Sequence, residues 1–369
     1  MHAWLPSGTR VAVAMSGGVD SSVAAALLQE AGCDVLGVTM TLWSCHRSAR
    51  AVKQTCCSTA DVADARAVCE RLGIPHCVVD FRSEFRERVI DHFAAEYAQA
   101  RTPIPCIGCN QHFKFDRLWD VVQREHGAVY LATGHYAQIA RDVAGAPLSL
   151  CRGRDAKKDQ TYYLFVMTRA QLQHSLFPLG ALTKTEVRAH AQRLGLVTAE
   201  KPESFEICFV PDNDYAGFLE DYYPHATGRP GAFLDTEGAV LGQHRGTHAY
   251  TIGQRRGLGV SGSERRYVTA IDPLLATVTL GTAAEVLGTR LSANGVNWIC
   301  PQPAAGETLR ATAKIRAQHT PASCRVTVDG VETLHVEFDT PQSAITPGQA
   351  VVLYDGDVVL GGGWIEKSA

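Results

Sequence analysis

The sequence predicts an α/β domain built on a parallel sheet, followed by a small β-rich domain and a C-terminal β-barrel. Three observations carry this expectation. Strand-like and helix-like runs alternate from residue 10 to about 200, the rhythm of a parallel sheet with helices on both faces. After about residue 210 the helical pattern fades, and Pro224, Pro230, Gly231 and Gly238 punctuate short runs. From about residue 283 the runs are strand-like, with the turn pairs Asp329-Gly330 and Asp355-Gly356 between them. The expected domains are 1–209, 210–282 and 283–369.

Residues 11–15 are apolar and read as a strand, and 21–31, rich in alanine and leucine, as a helix with Gly32 just past its end. A strand over 35–42, a helix over 60–72 closed by Gly73, and a strand over 76–79 follow. Residues 84–100 and 113–126 read as helices and 129–133 as a strand. Open parallel sheets bind ligands at the carboxyl ends of their strands, so the loops after Met15, Leu42 and Thr133 are expected to share one cleft. Residues 231–235 and 239–244 read as strands of the small domain, and 310–318, 323–328, 333–338 and 351–353 as strands of the barrel.

With 369 residues, 46% apolar and 20% charged, the chain has ample material for a core and little resemblance to a disordered protein. Met1 to Arg10 lacks the apolar centre of a signal peptide, and no run reaches the ~18 apolar residues of a membrane span, so a cytoplasmic protein is expected. The 35 basic residues against 38 acidic ones give a formal charge of −3, which excludes a generic polyanion binder and confines any nucleic-acid contact to local patches. The 12 cysteines, without an export signal, argue for thiol or metal chemistry over a disulfide framework.

Between the first strand and the first helix lies Ser16-Gly17-Gly18-Val19-Asp20-Ser21-Ser22. Two glycines let backbone N–H groups turn inward, and the serines and first helical turn are expected to add donors, which makes an anion cradle. A plain glycine turn is the competing reading. The general phosphate loop ends in Gly-Lys-Ser/Thr, and this segment has no lysine. It resembles instead the pyrophosphate loop, SGG-x-DSS, of the ATP pyrophosphatases, which cleave ATP between the α and β phosphates.

Cys106 and Cys109 stand directly before the helix expected from residue 113, with Lys114 in its first turn. A thiol at a helix N-terminus beside a cation ionises more readily, which makes Cys109 a candidate nucleophile. Half a zinc site, from the C-x-x-C spacing, and an inert buried thiol are the other readings, and no second C-x-x-C with zinc spacing is present. Cys208, flanked by Ile207 and Phe209, reads on its own as a core residue. Cys56-Cys57 reads as structural, with soft-metal binding as its alternative, and the remaining cysteines have no organising context.

Six blocks in order resemble the tRNA-specific 2-thiouridylases, the bacterial MnmA family, along almost the full chain. They are residues 16–22, 102–110 with Lys114-Phe115, 132–137, 158–164, 206–209 and 250–259. The resemblance implies an adenine nucleotide alpha-hydrolase-like fold for the first domain and a tRNA-contacting barrel. It implies that ATP adenylates the 2-carbonyl oxygen of the wobble uridine in tRNAs for Lys, Glu and Gln, and that a persulfide sulfur then displaces AMP. Adenylation turns a poor leaving oxygen into a phosphate ester before sulfur attacks.

By the same resemblance Cys208 carries the persulfide, and Cys109 is the nucleophile that releases sulfide or forms a disulfide with Cys208 during turnover. ATP contacts are implied at Ala14, Met15, Ser16, Gly17, Gly18, Val19, Asp20, Ser21, Met40 and Gly134, with Asp20 a candidate ligand of Mg²⁺. A buried strand methionine is the other reading of Met40. tRNA contacts are implied at Ile104, Pro105, Cys106, His135, Lys158, Asp159, Gln160, Arg316, Ala317 and Gln349. Arg255-Arg256 is a further basic patch, or else a solvated turn. A persulfide donor protein, a cysteine desulfurase or a sulfur-relay protein, is implied as partner.

The chain departs from many members at Ile104, where they carry Asn, and from some at Cys106, where they carry Asp. Base contacts are then expected through the backbone and Pro105. Cys106, Cys109 and Cys208 together also suggest a second route, a [4Fe–4S] cluster with one open iron. The competing functions are another ATP pyrophosphatase, such as an amide-forming synthetase, and a metal-binding tRNA-interaction protein without catalysis. The first needs no cysteine pair, and the second has no use for a pyrophosphate loop.

Overall fold

The computed structural model describes residues 5–43, 59–141, 147–203, 207–260 and 264–368. Cys45, Cys56-Cys57 and Glu206 therefore lie outside the described residues. The chain divides into two compact units, one of Met1–Val89, Cys106–Asn213 and Asp357–Val359, the other of Ile90–Pro105, Asp214–Gly356 and Leu360–Ala369.

In the first unit the apolar strand β1 (Arg10–Ala14) is the middle of the sheet, with Val11, Ala12 and Val13 fully buried. Burial on both faces is what a central parallel strand requires, and it explains the continuous apolar run. Helix α1 (Val19–Glu30) follows, then β2 (Asp34–Thr41), α2 (Thr59–Leu72) and β3 (His76–Asp80). Helix α3 (Arg82–Phe85) leads into a π turn at Arg86–Ile90, and α4 (Asp91–Ala98) belongs to the second unit. Helix α5 (Pro105–Cys109) continues through a π stretch, Asn110–Leu118, into α6 (Trp119–His126), which Gly127 ends at φ +65.

The strand β4 (Tyr130–Ala132) is followed by a hairpin, β5 (Ala137–Arg141) and β6 (Pro147–Arg152). Helix α7 (Arg169–Gln173), β7 (Ser175–Leu176) and α8 (Lys184–Arg193) complete the unit. The sheet order is β3-β2-β1-β4-β7, all parallel. Helix α1 packs on β1 and β2 with one face and on α8 with another, so Val23, Ala24, Ala25 and Leu28 are all at 0% exposure.

The second unit opens a helix that the sequence reading did not expect after residue 210, α9 (Tyr215–Tyr222), capped by Asp214, whose carboxylate accepts from Gly217 N at 3.0 Å. A four-stranded sheet follows, built from β8 (Gly231–Leu234), β9 (Val240–His244), β10 (Tyr267–Asp272) and β11 (Thr277–Gly281) in the order β10-β11-β8-β9. Six further strands form the barrel: β12 (Leu287–Trp298), β13 (Thr308–Lys314), β14 (Ala322–Asp329), β15 (Thr333–Ser343), β16 (Ala350–Asp355) and β17 (Val358–Ser368). Their order is β12-β15-β14-β13-β16-β17, and pairing of β12 with β17 closes it. Alternate residues of β14, Cys324, Val326 and Val328, fill the interior.

The helix expected from residue 113 begins instead at Pro105. Proline suits the first helical position, where its missing N–H is unpaired in any case. Cys109 therefore lies within the helix and not ahead of it, and the helix-terminus argument for its ionisation does not hold as made.

Candidate active site

At the end of β1, Met15 N donates to Val38 O at 2.7 Å, and the chain turns at Gly17 with φ +68 into the extended N-cap Gly18. A Cβ on Gly17 would lie 2.3 Å from the Asp61 carbonyl oxygen, so the backbone of α2 leaves room only for glycine. A Cβ on Gly134 would lie 2.8 Å from Asp20 C and Ser21 N, so the loop after β4 presses against the first turn of α1. The loops after β1 and β4 thus lie side by side, while residues 44–58 after β2 are outside the described residues. Met40 is 7% exposed near the carboxyl end of β2.

Ser21 and Ser22 do not face a ligand. They are 3% and 0% exposed, and both hydroxyls donate to Gly18 O, at 3.2 and 2.8 Å. Ser21 Oγ also accepts from Ser16 N at 3.1 Å, and Ser22 Oγ from Thr198 Oγ1 at 3.0 Å. The serines brace the turn, and the groups left for an anion are backbone N–H donors of the first helical turn, which have no intrahelical acceptor. The expectation of serine donors is corrected to that extent.

Two lysines that the sequence reading did not single out reach the loop. Lys184 Nζ donates to both oxygens of Asp20, at 2.7 and 2.9 Å, and Tyr136 OH donates to Asp20 Oδ1 at 2.8 Å. Lys201 Nζ donates to Gly17 O at 2.9 Å and to Asp61 Oδ1 at 2.8 Å, and also pairs with Asp64. Glu203 accepts from Lys184 at 2.7 Å and from Lys158. Burial raises the Glu203 carboxyl, but the hydrogen bonds from Lys158 and Lys184 outweigh it and hold it below the usual range. Thr183-Lys184-Thr185-Glu186 spells a capping box, a sequence signal for a helix that starts with a lysine in its first turn.

Of the thiols, Cys106 is exposed, Cys109 is 8% exposed and Cys208 is half-buried. Phe209, beside Cys208, is fully buried with its ring 6.0 Å from that of Phe85, and Phe85 stands 5.3 Å from Phe113 on the helix of Cys109. One aromatic side chain thus joins both thiol-bearing segments. Asn110, next to Cys109, is 1% exposed and donates from Nδ2 to Tyr163 O at 2.9 Å. Burial, and secondarily Cys106, push the Tyr163 hydroxyl up to about 12. Among the described residues no group of three or more His, Cys, Asp or Glu that could hold a metal ion is found.

The residues expected at tRNA fall in both units. In the first, His135 is 8% exposed, bonds Thr133 Oγ1 through Nδ1 at 2.6 Å, and lies among Phe115 and Phe177. Burial, aided by Lys114, pushes its pKa well below the ordinary value. Asp159 accepts from Thr161 Oγ1 at 2.9 Å and shapes its own turn, while Gln160 Oε1 accepts from Tyr136 N at 2.9 Å and ties that turn to the segment after β4. In the second unit, Ile104 and Pro105 are half-buried, and Gln349 Nε2 donates to Thr102 O at 2.9 Å, which ties the stretch before Ile104 to the 346–349 loop. Arg316 Nη1 donates to Ser343 O at 2.8 Å, and Ala317 is half-buried beside it. Arg255 and Arg256 are exposed.

Residues 9–212 match the family model described as tRNA methyl transferase HUP domain, 216–282 the tRNA methyl transferase PRC-barrel domain, and 289–365 the aminomethyltransferase beta-barrel domain. The chain is 50% identical over 363 residues to the tRNA-specific 2-thiouridylase MnmA of Geobacter metallireducens, covering 97% of each chain. It is 48% identical to that of Geotalea uraniireducens, over 97% of this chain and 95% of the relative, and 49% identical to that of Heliobacterium modesticaldum, over 97% and 92%. With similarity of this extent along nearly the full length of both chains, the chain belongs to the tRNA-specific 2-thiouridylase MnmA family.

Proposed function

We propose that this ATP-dependent tRNA thiolase acts on the 2-carbonyl of the wobble uridine in tRNAs of the Lys, Glu and Gln type, with the sulfur carried as a persulfide on Cys208. The carbonyl oxygen attacks the α-phosphorus of ATP, and pyrophosphate leaves into the loop of residues 16–22. The terminal sulfur of the Cys208 persulfide attacks C2, and AMP departs with the oxygen. The Cys109 thiolate then attacks Cys208 Sγ, which leaves sulfur on the base and a Cys109–Cys208 disulfide that an external thiol reduces.

The observation that carries this reading is the turn of residues 158–163, which touches both halves of the chemistry. Gln160 holds Tyr136, whose hydroxyl binds Asp20 of the loop, and Tyr163 holds Asn110 beside Cys109. Asp20 offers the oxygen ligand that Mg²⁺ prefers, and would give up Lys184 to take it. Ile104, Pro105 and Cys106 are read as contacts to the target base, and Arg316, Ala317 and Gln349 as contacts to the tRNA body. His135, Asp159 and Gln160 have side chains committed within the protein, so tRNA would meet them through backbone. Residues 1–209 are read as the catalytic domain, 210–282 as a linker domain and 283–369 as the tRNA-contacting barrel.

The persulfide comes from a donor protein, a cysteine desulfurase or a relay, in the cytoplasm. Among the described residues no helix is long and apolar enough to cross a membrane. The test uses ATP-Mg, a persulfide donor and unmodified tRNA, with a gel that retards thiolated RNA. Cys208→Ser is expected to abolish thiolation while tRNA-dependent pyrophosphate release persists, and Cys106→Ala to retain thiolation. Thiolation by Cys208→Ser at the native rate would end the persulfide reading.

A further inference from the structure

We infer that Arg101 is a positioning residue for the target base: with Glu96 and Glu366 it sets the direction in which the chain leaves α4, and so where Ile104 and Pro105 stand. The inference rests on the reading of Ile104 and Pro105 as target-base contacts.

Helix α4 ends in a Schellman turn, in which Ala100 N donates to Tyr97 O at 3.0 Å and Arg101 N to Glu96 O at 2.9 Å. Ala100 is left-handed there, at φ +57, a position that ordinarily takes glycine because a Cβ is crowded in it. Such a conformation persists only where the surroundings over-determine it. Arg101 does so: its Nε donates to Glu96 Oε2 at 2.8 Å, and Nη1 and Nη2 donate to Glu366 Oε2 and Oε1 on β17 at 2.8 and 3.0 Å. The Arg101 and Glu96 side chains are only 17% and 16% exposed. One guanidinium between two carboxylates withdrawn from water adds little net stability, since desolvation offsets attraction, whereas a bidentate fork fixes an angle.

The next residues carry that angle forward. Thr102 N donates to Pro347 O at 2.9 Å, and Thr102 O accepts from Gln349 Nε2 at 2.9 Å. A Cβ on Gly348 would lie 2.8 Å from Thr102 N and 3.1 Å from Arg101 Cβ, so the 346–349 loop closes tightly on both residues. That loop hangs on β17 beside Glu366, with Gly348 N donating to Ile365 O at 2.9 Å and Ile365 N to Gln349 O at 2.8 Å. Arg101 and Thr102 thus grip neighbouring points of one strand. Pro103 and Pro105 each hold φ at about −65° and keep the residue before them out of helical backbone, so the stretch from Thr102 to Pro105 is stiff. A change of angle at Arg101 is therefore delivered to Ile104. A tie that served stability alone would need neither the left-handed Ala100 nor the fork.

The experiment uses the full chain with ATP-Mg and unmodified tRNA, and counts ATP sites by titration calorimetry. It measures tRNA Kd by filter binding and kcat for tRNA-dependent pyrophosphate release per ATP site. Arg101→Met is expected to lower kcat at least about tenfold, as misplacement of a reacting group does, while tRNA Kd changes less than about threefold. Arg101→Lys keeps the charge without the fork and is expected to stay close to Arg101→Met. Glu366→Gln is expected to lower kcat to a smaller extent and to add nothing to Arg101→Met in the double variant. An unchanged kcat per ATP site in Arg101→Met, whatever its Tm, overturns the inference, and so does full recovery by Arg101→Lys or a loss confined to tRNA Kd. Where Arg101→Met does not fold, Glu366→Gln decides, since an unchanged kcat overturns it. Ile104→Trp tells the two readings apart: a fall in kcat there with none in Arg101→Met overturns the inference alone. No fall in Ile104→Trp refutes the base contact, and the inference with it.

Discussion

Lys201 shows how one cation sets the direction of a backbone group. Its ammonium holds the Gly17 carbonyl at 2.9 Å, and because the peptide is planar and trans, the Gly18 N–H on the far side of the same peptide points the opposite way. Burial lowers the Lys201 pKa, but Asp61 and Asp64 outweigh it and raise it above the ordinary value, so the charge persists. Lys201→Met is expected to raise KM for ATP about tenfold with a smaller change in kcat, and Lys201→Arg to recover part, as steady-state kinetics will report. Gly134 makes a steric prediction. Gly134→Ala would place Cβ 2.8 Å from two backbone atoms of α1, and is expected to cost about 1–3 kcal/mol in urea unfolding. Gly17, Gly18 and Asp20 were legible from their spelling, whereas Lys201 was not, because nothing in the residues around it indicates a partner on α2.

Among the elements, α8 is the one whose start decides the site. Thr183 Oγ1 accepts from Glu186 N at 3.3 Å while Glu186 accepts from Thr183 N at 2.6 Å. Thr183→Ala is expected to cost about 0.5–2 kcal/mol of stability, measured by denaturant titration. The alternating elements of the parallel sheet and the barrel turns at Gly330 and Gly356, with φ +80 and +56, followed from pattern and turn chemistry. The closing strand β17 did not. No strand was expected over 358–368, and a Cβ on Gly361 would lie 2.3 Å from Asn297 O and one on Gly363 3.0 Å from Asn294 O, so these glycines are what lets β12 approach and seal the barrel.

Across the whole molecule, buried histidines give stability a pH dependence. His76, His135, His244 and His319 are all held below the ordinary 6.5, with burial the largest cause for each. The folded chain keeps them neutral while the unfolded chain takes up protons below about pH 6.5, so their stabilisation is present above that pH and lost as pH falls toward the folded values. Tm is expected to drop between pH 7 and pH 5, each histidine losing up to about 1.4 kcal/mol per pH unit, and a flat or rising Tm in differential scanning calorimetry would contradict it. Glu203, held below 4.5, acts in a separate and more acidic window, present above that value and lost as pH falls through its folded pKa.

The reading of a phosphate loop on a parallel sheet and of a barrel towards the end of the chain was available from the residues alone, and the thiol pair only through the family resemblance. Each depends on neighbours in sequence: period, turn residues, and motif spelling. The close approach of Gly134 to Asp20 and Ser21, the burial of Ser21 and Ser22, the helix that encloses Cys109, and the aromatic bridge from Phe113 through Phe85 to Phe209 came only with the tertiary structure. So did the ion pair of Lys184 with Asp20, which spans 164 residues. Charge and packing partners of that kind are chosen by where folding brings the chain back on itself, and local sequence carries no record of it.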